Sequence, residues 1–290
     1  MKRLFNAFLF KIRKDLTFRI TLIIGVGMAI LMTLIYFGLD RAMGTDASDG
    51  SKMLAGPNML LNSFSPVQNY GIAIPVNLIS FTCLEFSQGT IRNKIIAGNS
   101  KFKIYASLCI SGLIFAFALL IVYVGLCTLL GTIFGGFNLK DGVMVGLTQA
   151  PVKGGFIPLT LLFAALIYLS IVMFTIFFAT LFRNIGPTIP VVMVTLMLLY
   201  FSAYIVSTLS MFMEDTPIVL VMKIINPLYA ISGGVDYHTV NVEIEGETYA
   251  MTDYVYYSTE TIVCSIINNL VYAGLFFGFG SLIFSKRDVK

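Results

Sequence analysis

The chain is 290 residues long, 57% hydrophobic and only 12% charged, and its formal net charge is +4. Soluble globular chains carry about 25% charged residues. A chain with half that charge and a mean hydropathy of +0.88 cannot clothe a water-facing surface, which excludes a soluble enzyme, a nucleic-acid-binding domain and a disordered protein.

At the start of the chain, Leu4, Phe5, Phe8, Leu9, Ile12 and Leu16 fall on one helical face, and Lys2, Arg3, Asn6, Arg13 and Lys14 fall opposite. This pattern predicts an amphipathic helix over 1–18, lying at an anionic membrane interface. Crossing a hydrocarbon core takes about 20 mostly apolar residues in a helix. Six stretches are read as spans: Ile20–Leu39, Val67–Leu84, Ile104–Phe134, Pro158–Phe182, Thr188–Met213 and Thr261–Phe284, none containing Asp, Glu, Lys, Arg or His. The second is barely long enough, and Pro75 and Asn77 interrupt it. The fold class expected is therefore an all-α membrane protein with six transmembrane helices and the N-terminal elbow helix, folded as one transmembrane domain over 1–290.

Basic residues set orientation. With both termini in the cytoplasm, 14 of the 19 Lys and Arg lie inside, and all acids but Asp15, Glu85 and Asp288 lie outside. The expectation is a multi-pass protein of the cell membrane with both ends cytoplasmic.

The first inner loop is the most informative segment. Thr90 is a natural helix N-cap, Ile91 and Ile95 share a face, Gly98 is placed as the C′ residue, and Ser100 can cap the next span. The spacing predicts a short helix lying across the ends of two membrane helices. The second inner loop, Arg183-Asn184-Ile185-Gly186-Pro187, is a tight turn. On the outer side, Asp40–Pro66 reads as irregular, and Gly135–Ile157 is Gly-rich with a short apolar patch. Residues 214–260 form an extracellular segment. Within it Pro217–Ile225 is too short to span. Val240, Val242 and Ile244 alternate with polar residues, and Thr248–Tyr254 can return as the second strand of a small extracellular β-hairpin.

Chemistry-bearing motifs are sparse. Cys83, Cys109, Cys127 and Cys264 all lie in apolar runs without metal or redox spacing. His238 is the single histidine, and Ser232 near it lies outside any span, so neither a metal cluster nor an intramembrane serine protease is expected. There is no phosphate-binding loop, so the chain does not hydrolyse ATP itself. The spans hold no Asp, Glu, Lys, Arg or His, which argues against proton coupling; sodium coupling through neutral oxygens stays open. Asn77, Asn268 and Asn269, with Phe and Met around them, are the candidates to line a pathway for an amphipathic substrate such as a lipid, a drug or an antimicrobial peptide. Membrane amides also join helices.

The elbow helix, the six spans and the inner loop Glu85…Gly89-Thr90-Ile91-Arg92-Asn93-Lys94 together resemble the ABC-2 type permeases, the membrane subunits of ATP-binding-cassette exporters. The resemblance implies a homo- or heterodimer of such subunits in membrane lipid, and a separate ABC ATPase that holds ATP and Mg. This chain would then be non-catalytic and carry no cofactor. Glu85, Gly89, Thr90, Ile91, Arg92, Asn93, Lys94 and Ile95 would form the helix that couples to the ATPase. The outer hairpin and a reduced Asn226-Pro227 motif depart from the family pattern. A membrane sensor or immunity protein that binds an extracellular peptide without an ATPase is the alternative, and a sodium-coupled carrier a third.

Overall fold

The structure is a computed structural model. It describes residues 16–42, 54–64, 70–137, 143–145, 148–150, 156–212, 225–228, 235–244, 247–256 and 259–287, together with Ala7, Phe10, Lys14 and Val221. The described residues form eight helices: α1 (Leu16–Ala42), α2 (Gly56–Phe64), α3 (Tyr70–Ser87), α4 (Thr90–Ile96), α5 (Lys101–Gly135), α6 (Phe156–Phe182), α7 (Ile185–Phe212) and α8 (Thr259–Lys286). Two antiparallel strand pairs interrupt them: β1 (Val143–Val145) with β2 (Thr148–Ala150), and β3 (Val235–Ile244) with β4 (Glu247–Tyr256). The β3–β4 ladder runs from Val235 opposite Tyr256 to Ile244 opposite Glu247, longer than the alternation around Val240–Ile244 suggests. The expected elbow helix over 1–18 lies outside the described residues except for its last turn, which continues into α1, and three isolated positions.

Five helices, α1, α5, α6, α7 and α8, contain stretches long and apolar enough to cross a membrane. The chain is a multi-pass membrane protein. Helix α3 differs. At 18 residues it rises about 27 Å, just short of a hydrocarbon core of about 30 Å, and its apolar part, Ile72–Ser87, falls below the length of the others. Pro75 sits inside it, in the second turn. Helix α5 is the opposite case: its 35 residues rise about 52 Å, more than a bilayer is thick, and every other helix except α7 packs on it. Its buried face carries Tyr105, Phe115, Leu119, Tyr123 and Cys127, and the ring of Phe115 stacks with Phe81 of α3 and tilts against Phe18 of α1. A second apolar cluster joins Ile79 and Cys83 of α3 to Ile171 and Phe174 of α6 and to Val192 and Leu196 of α7. Among the helix pairs, α6 and α8 make the most extensive contact.

The segment Asp40–Pro66 is not irregular throughout. Helix α2 occupies 56–64, opened by Gly56-Pro57, a residue type suited to a first helical turn because its missing N–H would have no partner there. Leu54, Ala55 and Met59 are buried against α5. Close approach is possible because α5 presents Gly131 and Gly135: a Cβ on Gly135 would lie 2.7 Å from the backbone of Leu54. Asp40, buried at the end of α1, accepts a hydrogen bond from the Leu54 N–H at 3.0 Å, and the Gly56 N–H reaches the Gly136 carbonyl at 2.9 Å. Asp40 is thus a structural ligand of this turn rather than a loop acid.

Candidate functional site

At one end of the bundle, α3 turns into α4 through Gly89, whose φ of 66° lies in the left-handed region that a residue with a Cβ occupies at a cost. Glu85, one turn back in α3, is fully buried. Its Oε2 accepts from the Thr90 hydroxyl at 2.7 Å and from the Lys94 ammonium at 2.7 Å. A carboxylate out of water is tolerated only with a counter-charge and donors, and α4 supplies both from one face. Thr90 is therefore not the N-cap expected of it. Gly89 caps, without a side-chain bond, because the threonine hydroxyl is taken by Glu85. The C-terminal side follows expectation: Gly98 has φ 83°, its N–H reaches the Ile95 carbonyl at 2.9 Å, and the Ser100 hydroxyl accepts from the Lys103 N–H at the start of α5.

Of the residues that the resemblance assigns to coupling, Ile91 and Ile95 share a side as their spacing predicts, but it is the inner one. Ile91 is fully buried in the core and Ile95 packs against it. The exposed side of α4 carries Arg92, Asn93 and Ile96, the last 74% exposed. Any partner of this helix meets those three, not Ile91.

The corner is tied to the ends of α5, α6 and α8. Phe86 meets Phe284 edge-on at 6.1 Å, and the Arg183 guanidinium lies 5.5 Å from the centre of the Phe86 ring. Arg287 donates to the Leu181 carbonyl at 2.6 Å, and Lys101 donates to the Ser285 and Arg287 carbonyls at 3.0 Å. These are cations at helix C-termini, where the helix dipole favours them. Burial first, and the neighbouring Arg287 second, lower the Arg183 pKa from its ordinary value.

The three candidate pathway amides are used within the protein or lie buried. Asn77 accepts from the Thr21 hydroxyl at 2.6 Å and donates to the Ala73 carbonyl, joining α3 to α1. Asn268 is buried on α8. Asn269, fully buried, donates to the Pro227 and Ser265 carbonyls at 3.0 and 2.9 Å and accepts at Oδ1 from the Ser170 hydroxyl at 2.9 Å. The turn Asn226-Pro227-Leu228 is held from the other side as well. Asn226 donates to the Leu199 carbonyl and to Ser202, its own Oδ1 accepts from the Leu228 N–H, and Tyr272 donates to the Ile225 carbonyl. Sequence reasoning noticed Asn226-Pro227 but had no signal for Ser170 and Tyr272, which complete the clamp from other helices.

No group of three or more His, Cys, Asp or Glu able to hold a metal occurs among the described residues. No family model, curated protein or solved structure matches the chain.

Proposed function

We propose that the chain is the membrane-spanning subunit of an ATP-driven exporter of the ABC-2 kind, working as a dimer and moving an amphipathic substrate outward with energy from a separate ATPase. α3 completes a sixth crossing in this reading, and β3–β4 lies outside the cell. The observation that carries the reading is α4: a seven-residue helix set between two membrane helices, fastened by a buried ion pair, with arginine, asparagine and isoleucine turned outward. A plain connecting loop needs neither the ion pair nor an exposed isoleucine. A helix pinned this firmly would pass a push on Arg92, Asn93 and Ile96 directly to α3 and α5. The coupling residues are then Arg92, Asn93 and Ile96 in contact, with Glu85, Gly89, Thr90 and Lys94 positioning them.

The test is purification of the tagged full-length chain from its native membranes, with ATP hydrolysis measured in the eluate. The reading expects an ATP-hydrolysing protein to co-purify, and Ile96→Asp to abolish co-purification while leaving expression and membrane insertion intact. Absence of any ATP-hydrolysing partner would instead favour the sensor reading. Orientation is checked separately on a cysteine-free background. Cysteines at Ser48 and Glu245 should react with an impermeant thiol reagent in intact cells, and one at Asn99 only after permeabilisation.

A further inference from the structure

Between α6, α7 and α8 lies a cavity of about 230 Å³, with the turn at Pro227 and Leu228 as one wall. Ile171 and Phe174 of α6, Leu196 and Leu199 of α7, Leu228 of the turn and Phe276 of α8 supply apolar lining. Three hydroxyls also border the space, and each already donates elsewhere. Ser170 donates to Asn269 at 2.9 Å, Thr195 to the Val191 carbonyl at 2.8 Å and Tyr272 to the Ile225 carbonyl at 2.7 Å.

That commitment decides what can occupy the space. A buried water needs about two to four polar partners, and an apolar cavity of roughly 150 Å³ stays dry and takes up benzene instead. The present cavity is larger, and its donors are engaged by the protein. A sugar, an ion or a zwitterion entering it would give up its hydration without replacement. A hydrocarbon chain loses nothing and gains contact with leucine, isoleucine and phenylalanine side chains. The three helices that wall the cavity all contain stretches long and apolar enough to cross a membrane, and in a membrane acyl chains are the abundant local solute. We infer that the cavity binds a segment of a membrane lipid's acyl chain, with the headgroup left outside. Asn269 is a positioning residue for this site, because it holds Pro227, one wall of the cavity, against α8.

The test uses the full chain in nanodiscs of phosphatidylcholine carrying a diazirine on one acyl chain, with adducts located by mass spectrometry after photolysis. It requires no ATPase, so its outcome is separate from that of the exporter reading. Adducts are expected on Ile171 and Leu228, both 3% exposed, as well as on Leu198 and Phe201, which are 64% and 69% exposed and serve as the lipid-contact control. Filling the cavity with Leu199→Trp should remove the Ile171 and Leu228 adducts and keep those on Leu198 and Phe201. Leu196→Phe is the milder second variant, should the first fail to fold. Adducts confined to Leu198 and Phe201 would overturn the proposal. So would undiminished labelling of Leu228 in a folded filling variant, or rapid modification of Leu228→Cys by a charged methanethiosulfonate, which would reveal a water-filled space.

Discussion

At the α3–α4 corner a fully buried carboxylate is held by an ammonium and a hydroxyl from the next nine residues of chain. At Asn226–Leu228 a turn is held against α7 and α8 by neutral amides and carbonyls that come from as far as 42 residues away. The chemistry follows the surroundings. Lys94 keeps 18% of its side chain exposed, so the corner can place a charge pair where one partner still meets water, and the cost of desolvation is borne mainly by Glu85. Asn269 has no exposure at all, and an amide there satisfies two carbonyls without needing a counter-ion. A short-range charged tie can form as α4 folds. The amide tie exists only once α6, α7 and α8 have assembled.

Breaking the charged tie should therefore have the larger effect. Lys94→Met takes the ammonium away from the buried Glu85 carboxylate, and removal of one partner of a buried pair costs about 3–5 kcal/mol; the residual exposure of Lys94 places this case at the low end. The double variant Lys94→Met with Glu85→Gln should recover most of the loss, read as the midpoint of unfolding in a denaturing detergent titration. No recovery in the double variant would mean that Glu85 is held by something other than this pair.

A third tie uses no side-chain donor from α5. Gly135 of α5 touches the backbone of Leu54 and Ala55, and a Cβ there would lie 2.7–2.8 Å from those atoms. Backbone cannot step aside as a flexible side chain can. Gly135→Ala should cost about 2–3 kcal/mol and loosen α2, seen as faster amide hydrogen exchange over 54–64. Gly125→Ala, with open space around its position, is the matched control and should be neutral or slightly favourable.

Asn269→Leu attacks the neutral tie. It strands the Pro227 carbonyl, while the Ser170 hydroxyl keeps the backbone carbonyls of Asn269 and Leu166, at a cost of about 1–2 kcal/mol, since hydrogen bonds between membrane helices are individually modest. The loss should be smaller than that of Lys94→Met in the same assay. An equal or greater loss would reverse the ranking of the two ties.

How far these ties were legible in the sequence depends on their range. The membrane helices show directly, because apolar runs without charge have few other uses. The corner shows in part. Gly98 and Ser100 follow local rules, but the rule that prefers Thr over Gly as an N-cap misplaced Thr90, since a buried carboxylate five residues back competes for its hydroxyl. The spacing of Ile91 and Ile95 says that they share a face and not which way it points. Helix α2 was missed because Gly56-Pro57-Asn58 is loop punctuation in sequence, while Asn58 is fully buried in the structure. Of the amide clamp, the sequence showed Asn226-Pro227 and the amides but not which groups they join. An asparagine in a span looks the same whether it lines a path or holds a carbonyl, and only assembly brings Pro227 to Asn269.

The smallest expected effect separates a hydroxyl that belongs to a tie from one that does not. Tyr272 donates to the Ile225 carbonyl beside the Asn226–Leu228 turn at 2.7 Å. The Tyr168 hydroxyl, on α6, is buried with no hydrogen-bond partner among the described residues. A buried donor without an acceptor is a desolvation cost with no return, so replacing Tyr168 by Phe keeps the ring packing in the core and removes that cost. Tyr168→Phe should stabilise by about 1 kcal/mol. Tyr272→Phe removes a bond that is made and should destabilise by about 1 kcal/mol. The two changes delete the same atom from the same residue type, one on each of two helices that pack together, so opposite signs in one unfolding assay would separate a hydroxyl that is bonded from a buried one that is not. Equal signs would mean that the Tyr272 bond adds nothing to the clamp, and that Asn226 and Asn269 hold the turn without it.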